Sequence, residues 1–317
     1  MPVLARRGFT LIELMIALVL LGLVSASIYK VLVNNQRVYL AQTQTIDLNQ
    51  NMRAAAAILP AELRELDAAD GDITFMGPDS IRIRAMRQLA FVCQIPALGG
   101  GIGQIQLFVR ASPIYGNRQL FNQGGQRDSI LVYWEGNPQT RSDDQWLPAQ
   151  VQSVAPGNCS DSGVVVGAAA FNLSLQPQWI NDPTLNKAGA ILNGAPVRGF
   201  DKVVYRSYQA ADGDWYLGQR NATAGSVIQP IVGPLIGANG LSFTYYDSAG
   251  AVTNVTTQVA QIEVVLRART ASPIRASGGT GVQDYKVDSM VTRVTLRGNP
   301  RCGLGTVAPI VVFRPCQ

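Results

Sequence analysis

From Phe9 to Val33 the chain is apolar or small at almost every position, with Glu13 and Lys30 as its charged interruptions. A run of that length predicts a helix able to cross a bilayer about 30 Å thick. A carboxylate inside such a run costs roughly 2.5–3.5 kcal/mol on insertion scales, so Glu13 requires a partner. Over residues 34–66 the pattern changes to a single stripe: Val38, Ala41, Thr45, Leu48, Met52, Ala55, Leu59, Leu63 and Leu66, at spacings of three and four. This predicts an amphipathic continuation of the helix with one face on the chain's own domain. Pro60 is expected to kink it or to open a second short helix, PAELREL. Asp67-Ala-Ala-Asp-Gly-Asp ends it, and reads as a solvated turn rather than a cation site.

After Ile73 the period becomes two. ITFM and SIRIR flank MGPDS, a hairpin signal, and LAFVCQI and IQLFVR flank the glycine-rich GGGIG. SILVYWE, GVVVGAAAF and FNLSL read as strands, and residues 136–159, rich in Asn, Gln, Asp and Pro, as a long loop. Residues 181–199 form a Pro/Gly/Asn-containing connector, a candidate subdomain boundary. Beyond it come FDKVVYRSYQ, DWYLGQR, VIQPIVG, LSFTYYDSAGAV, VAQIEVVLRART and VDSMVTRVTLRGN. Val203, Tyr205 and Ser207 alternate with Val204, Arg206 and Tyr208, as Ile262, Val264 and Leu266 do with Glu263, Val265 and Arg267. Alternation of this kind belongs to an antiparallel sheet with one packed and one wetter face. The predicted fold is α+β: a transmembrane segment (9–33), an amphipathic segment (34–66) and a mainly antiparallel, β-rich globular domain (67–317).

Composition narrows the functions. Of 317 residues 47% are apolar and 15% charged, enough for a substantial core. The net charge of +5 is scattered, without the basic–aromatic clustering of a nucleic-acid surface. Histidine is absent, which removes His-based triads, His acid–base pairs and His-ligated zinc. No nucleophile or acid–base constellation stands out, and no cofactor or metal motif.

Arg6 and Arg7 stand directly before the apolar run. That pattern fits a secretory signal peptide cut near Ser25-Ala26-Ser27, an uncleaved anchor, or a third class. The residues Arg7-Gly8-Phe9-Thr10-Leu11-Ile12-Glu13-Leu14-Met15 resemble the processing site of type IV prepilins and type II secretion pseudopilins. The resemblance implies a leader (1–8) removed by a prepilin peptidase between Gly8 and Phe9, with Phe9 then N-methylated. Arg7, Thr10, Leu11, Ile12 and Leu14 fall on the recognition and assembly positions. It also implies that Glu13 pairs with the N-terminal amine of a neighbouring subunit, and that the helix packs on a sheet below its membrane half. The expected partners are the prepilin peptidase, other major and minor pilins and the inner-membrane assembly platform. The expected location is the cytoplasmic membrane, domain in the periplasm, and then a filament tip or base. More weakly, VVYR, WYLGQR, FTYYDSAG, VAQIEVVLRART and VTRVTLRGN resemble PilW-type minor pilins and the J-type minor pseudopilins.

Cys93, Cys159, Cys302 and Cys316 form an even set without CxxC spacing, which favours disulfides over a thiolate metal site. Of the three pairings, Cys93–Cys159 and Cys302–Cys316 are favoured. Trp134, Trp146, Trp179 and Trp215 read as core or interface residues in preference to a sugar platform, and three Asn-x-Ser/Thr triplets as chance.

Overall fold

The structure, a computed structural model, describes residues 10–98, 105–112, 114–116, 129–136, 139, 144–159, 167–177, 191–275, 283–298, 305–307 and 310–312. One helix, α1 (Leu11–Arg64), opens it and runs through Pro60 without a break. Pro60–Arg64 therefore form the last turn of α1, with Glu65 as its C-cap, and PAELREL is not a separate helix. The carbonyl that Pro60 leaves without a helical donor belongs to Ala56, on the exposed face, where water can serve it.

The strands are β1 (Ile73–Met76), β2 (Ser80–Leu98), β3 (Ile105–Arg110), β4 (Tyr115–Gly116), β5 (Ser129–Trp134), β6 (Gln145–Asn158), β7 (Ala169–Pro177), β8 (Pro196–Gln209), β9 (Trp215–Asn221), β10 (Gln229–Leu235), β11 (Leu241–Tyr246), β12 (Gln261–Arg269), β13 (Ile274–Arg275), β14 (Gln283–Asp284), β15 (Val287–Thr295), β16 (Gly305–Val307) and β17 (Ile310–Val312). All their pairings are antiparallel. The expected α+β architecture is what forms.

Two cores share one sheet. The first lies under α1, where Leu48, Met52, Ala55, Leu59 and Leu63 meet Ile83, Tyr205, Leu217, Val232, Val264, Leu266 and Val294. The second has no helix. Because β2 pairs β8 as well as β3, the path β2–β3–β7–β6–β5–β8 closes on itself. Closure turns one face of each strand inward, and Val92, Leu107, Ile130, Leu147, Val151, Leu173 and Val197 fill the small barrel that results. β2 and β8 are long enough to belong to both parts. The end of the predicted connector, Pro196–Gly199, is thus barrel strand, and residues 178–190 lie outside the described residues.

β6 corrects the expected loop at 136–159. Its prolines stand where the strand has one neighbour: Pro148 pairs only β5 and Pro156 only β7. A missing N–H is tolerated there as on an edge strand. Next to it, Phe108 packs over Gly157, where an added Cβ would come within 2.9 Å of the ring. Cys93 and Cys159 are bonded, with Cα atoms 5.5 Å apart, and tie β2 to the end of β6 behind Phe108 and Ala170. Cys302 and Cys316 lie outside the described residues.

Candidate assembly interface

The first turn of α1 is closed by its own side chains. Thr10 is extended and caps the helix; Glu13 N donates to Thr10 Oγ1 (3.3 Å), and Thr10 N donates to Glu13 Oε2 (3.4 Å). This reciprocal capping box places the carboxylate at the positive end of the helix dipole. Both groups are exposed, so Glu13 is held in place but remains open to a second partner. Leu11, Ile12 and Leu14 flank it, all exposed. Arg7, Gly8 and Phe9 lie outside the described residues.

Every large apolar side chain from Leu11 to Leu32 is at least 54% exposed. At 1.5 Å per residue, Leu11 to Tyr29 spans about 27 Å, close to the apolar thickness of a bilayer. Tyr29 and Lys30 then fall where an aromatic ring and a snorkelling ammonium meet the headgroups. Ser27, just inside that boundary, donates back to Leu23 O (2.9 Å), which satisfies its hydroxyl within the helix. This is the one helix among the described residues long and apolar enough to cross a membrane.

Between Val31 and Leu40 the helix stands free of the domain for about 14 Å. The predicted stripe begins to pack only at Leu48: Val38 is exposed, and Ala41 and Thr45 are partly covered. On either side of Leu48 polar ties fix the helix to the domain. Asn51 Nδ2 donates to Gly233 O (2.9 Å) and Ser272 N to Gln44 Oε1 (3.2 Å). An open groove of about 310 Å³ lies between, lined by Asp47, Asn51, Gly233, Arg269 and Thr270. Arg87 of β2 grips Glu62 through both carboxylate oxygens (3.0 and 3.1 Å) and also faces Asp201 at 3.6 Å. The Tyr205 hydroxyl, buried beside them, is pushed well above its ordinary pKa by burial and by Glu62. No periodicity marks Glu62, Arg87 or Asp201, and sequence reading missed them.

The acidic turn after α1 is only partly solvated: Asp72 is buried, and Asp67 and Asp70 are half-buried. Asp67 Oδ1 accepts from Ala69 N (3.0 Å) and Asp70 N (3.2 Å), and Asp72 Oδ2 accepts from Asp67 N (2.9 Å). Gly298 lies so close to the Asp67 carboxylate that a Cβ has no room there. Burial raises the pKa of all three acids, and the neighbouring Asp67 helps push Asp70 up to about 6. Arg198 sits 3.8 Å from Asp70 and stacks on Trp146, joining the turn to the barrel wall. Among the described residues no group of three His, Cys, Asp or Glu is arranged to hold a metal ion. Trp215 and Trp134 pack against the two cores, Trp146 lies under Arg198, and Trp179 lies outside the described residues.

Against known families, residues 4–29 match the prokaryotic N-terminal methylation motif. No curated protein and no solved structure matches the chain. The motif and the bare apolar helix behind it support a type IV pilin- or pseudopilin-like protein. They fit a membrane-anchored form, processing by a prepilin peptidase and assembly in a pilus or secretion system.

Proposed function

We propose that this protein is a minor pilin of a type IV pilus, of the PilW type, that promotes filament assembly or priming, and that it is a structural subunit and not an enzyme. The leader 1–8 stays in the cytosol, and cleavage between Gly8 and Phe9 with N-methylation of Phe9 releases the mature chain. The domain then stands in the periplasm on the free stretch of α1, and the helix moves from lipid into a bundle of other pilin helices through the assembly platform.

One observation carries this reading: behind a methylation motif, the outer part of a 54-residue helix, Leu11 to Leu32, exposes apolar side chains that the chain's own domain never covers. Apolar burial is worth about 25 cal/mol per Å², so that surface favours lipid or other helices strongly. Glu13, poised at the helix start, gains its missing partner from a neighbour's amine. The large domain, with a barrel beside the helix-covered sheet, exceeds what a repeating filament subunit needs and supports a minor role. The same C-terminal strand run also supports a second reading, a J-type pseudopilin of a type II secretion system.

Deleting the gene tests both. A minor pilin predicts far fewer surface filaments with normal protein secretion. Loss of secretion with normal filaments favours the pseudopilin, and loss of neither contradicts both.

A further inference from the structure

β15 ends the helix-covered sheet, and its pairing with β12 is unbroken over nine residues. Leu296 N donates to Ala260 O (3.0 Å) and Thr270 N to Lys286 O (2.9 Å). In that register the even-numbered residues from Lys286 to Leu296 bond to β12, and the backbone N–H and C=O of Val287, Ser289, Val291, Arg293 and Thr295 point away from it. Asp288 Oδ1 covers Ser289 N (2.8 Å) at one end. The outward groups of Val291, Arg293 and Thr295 have no partner among the described residues. Soluble domains blunt such edges with proline, bulges or projecting charge. β15 has no proline and no bulge, and its one central charge is turned away: Arg293 reaches across the face to Glu263 (2.7 Å) and lies over Tyr246. Val287 and Val291 project beside this row, 53% and 64% exposed.

We propose that the outer edge of β15 accepts an extended strand from a second, non-identical subunit of the same assembly. This rests on the function proposed above. Continuity with the helix supplies the reach: Val294 and Leu296 pack in the core under α1, and Arg297 N donates to Arg64 O (2.8 Å). A subunit whose helix lies along the free half of α1 therefore brings its domain beside β15. A second copy paired antiparallel or head-to-tail does not fit. Antiparallel pairing of two β15 edges needs a two-fold axis normal to the sheet, which turns the two α1 helices in opposite directions, whereas both must enter one membrane the same way. Among the described residues a head-to-tail copy lacks an edge of matching length, since β1 is four residues long and beside the turn Thr256–Gln258, and β11 is engaged by Pro78 (Phe243 N to Pro78 O, 2.7 Å). The incoming strand should carry apolar side chains at alternate positions, opposite Val287 and Val291.

The experiment puts a photoreactive benzoylphenylalanine in place of Thr295, in cells carrying the complete filament machinery. Irradiation should give an adduct with a different chain that has its own processed prepilin N-terminus. Val291→Pro, which removes an outward N–H and leaves the β12 ladder intact, should lower that adduct about tenfold. Val291→Thr should leave it unchanged, and all variants should keep leader cleavage and an unaltered Tm. An adduct with itself alone, an adduct insensitive to Val291→Pro, or none while the processed chain is present in filaments overturns the proposal. An uncleaved leader with no filament incorporation overturns instead the function on which it rests, and the proposal with it.

Discussion

The two halves of α1 are one helix with opposite relations to the rest of the chain. From Leu48 to Leu63 every third or fourth side chain is buried against the sheet, and polar ties at Asn51, Glu62 and Glu65 fix its position. From Leu11 to Leu32 the side chains are more apolar than in the inner half, yet the domain covers none of them. Apolar content alone therefore does not mark the core. The inner half is apolar along one stripe because it meets one sheet; the outer half is apolar all round, as suits a helix that meets lipid or other helices in the function proposed above. Changes in the inner half should move stability, and changes in the outer half should move assembly.

The largest expected effect is on the domain side, away from α1. Cys93–Cys159 closes a separation of 66 residues, so its reduction should cost about 4 kcal/mol in the chain-entropy picture. Denaturant titration with and without reductant measures it, and leader processing should not change. Leu59→Ala, at a site with no exposure, should cost about 3 kcal/mol through the cavity it leaves; Leu20→Ala, on the bare half, should leave the same unfolding midpoint unmoved. Equal losses from the two would break the comparison. Glu13→Val should reverse the pattern, with stability and cleavage retained but filament incorporation reduced about tenfold or more, measured by quantifying the subunit in sheared filaments. Asp70→Asn sharpens the inner boundary. Because the folded state holds the Asp70 proton up to about pH 6, its contribution is complete below the usual carboxylate range and is lost as pH rises through 6. Asp67 and Asp72 shift in the same direction. Screening in this half-exposed turn limits the Asp70 effect to about 1 kcal/mol. The variant should be more stable at pH 7 and show a flatter stability profile between pH 4 and 6.

Much of this was legible because it is local. The methylation motif, the apolar run and the stripe from Leu48 onward are read within a few helical turns, and the β1–β2 and β2–β3 hairpins from adjacent alternating segments. The Cys93–Cys159 pair was also anticipated. What escaped depends on distant neighbours. β6 looks like loop because only Leu147, Ala149 and Val151 carry its inward face and two prolines punctuate it; the barrel that excuses both is closed by β8, some 50 residues later. Pro60 looks like a break until the exposed side of α1 is known. The Asp67–Asp72 turn looks solvated until Gly298 and Arg198 close over it. Charge partners such as Glu62 and Arg87 obey no period, so no pattern in the sequence announces them.

The central claim is that the bare half of α1 belongs to a processed filament subunit. Mass spectrometry of the mature N-terminus, from cells with an active prepilin peptidase, tests it most directly. The account predicts a chain beginning at N-methylated Phe9, and an uncut chain for Gly8→Val. A mature start near Ala26 or Ser27, or an intact leader in the unaltered protein, would contradict it and leave a conventionally secreted or anchored periplasmic binding protein in its place.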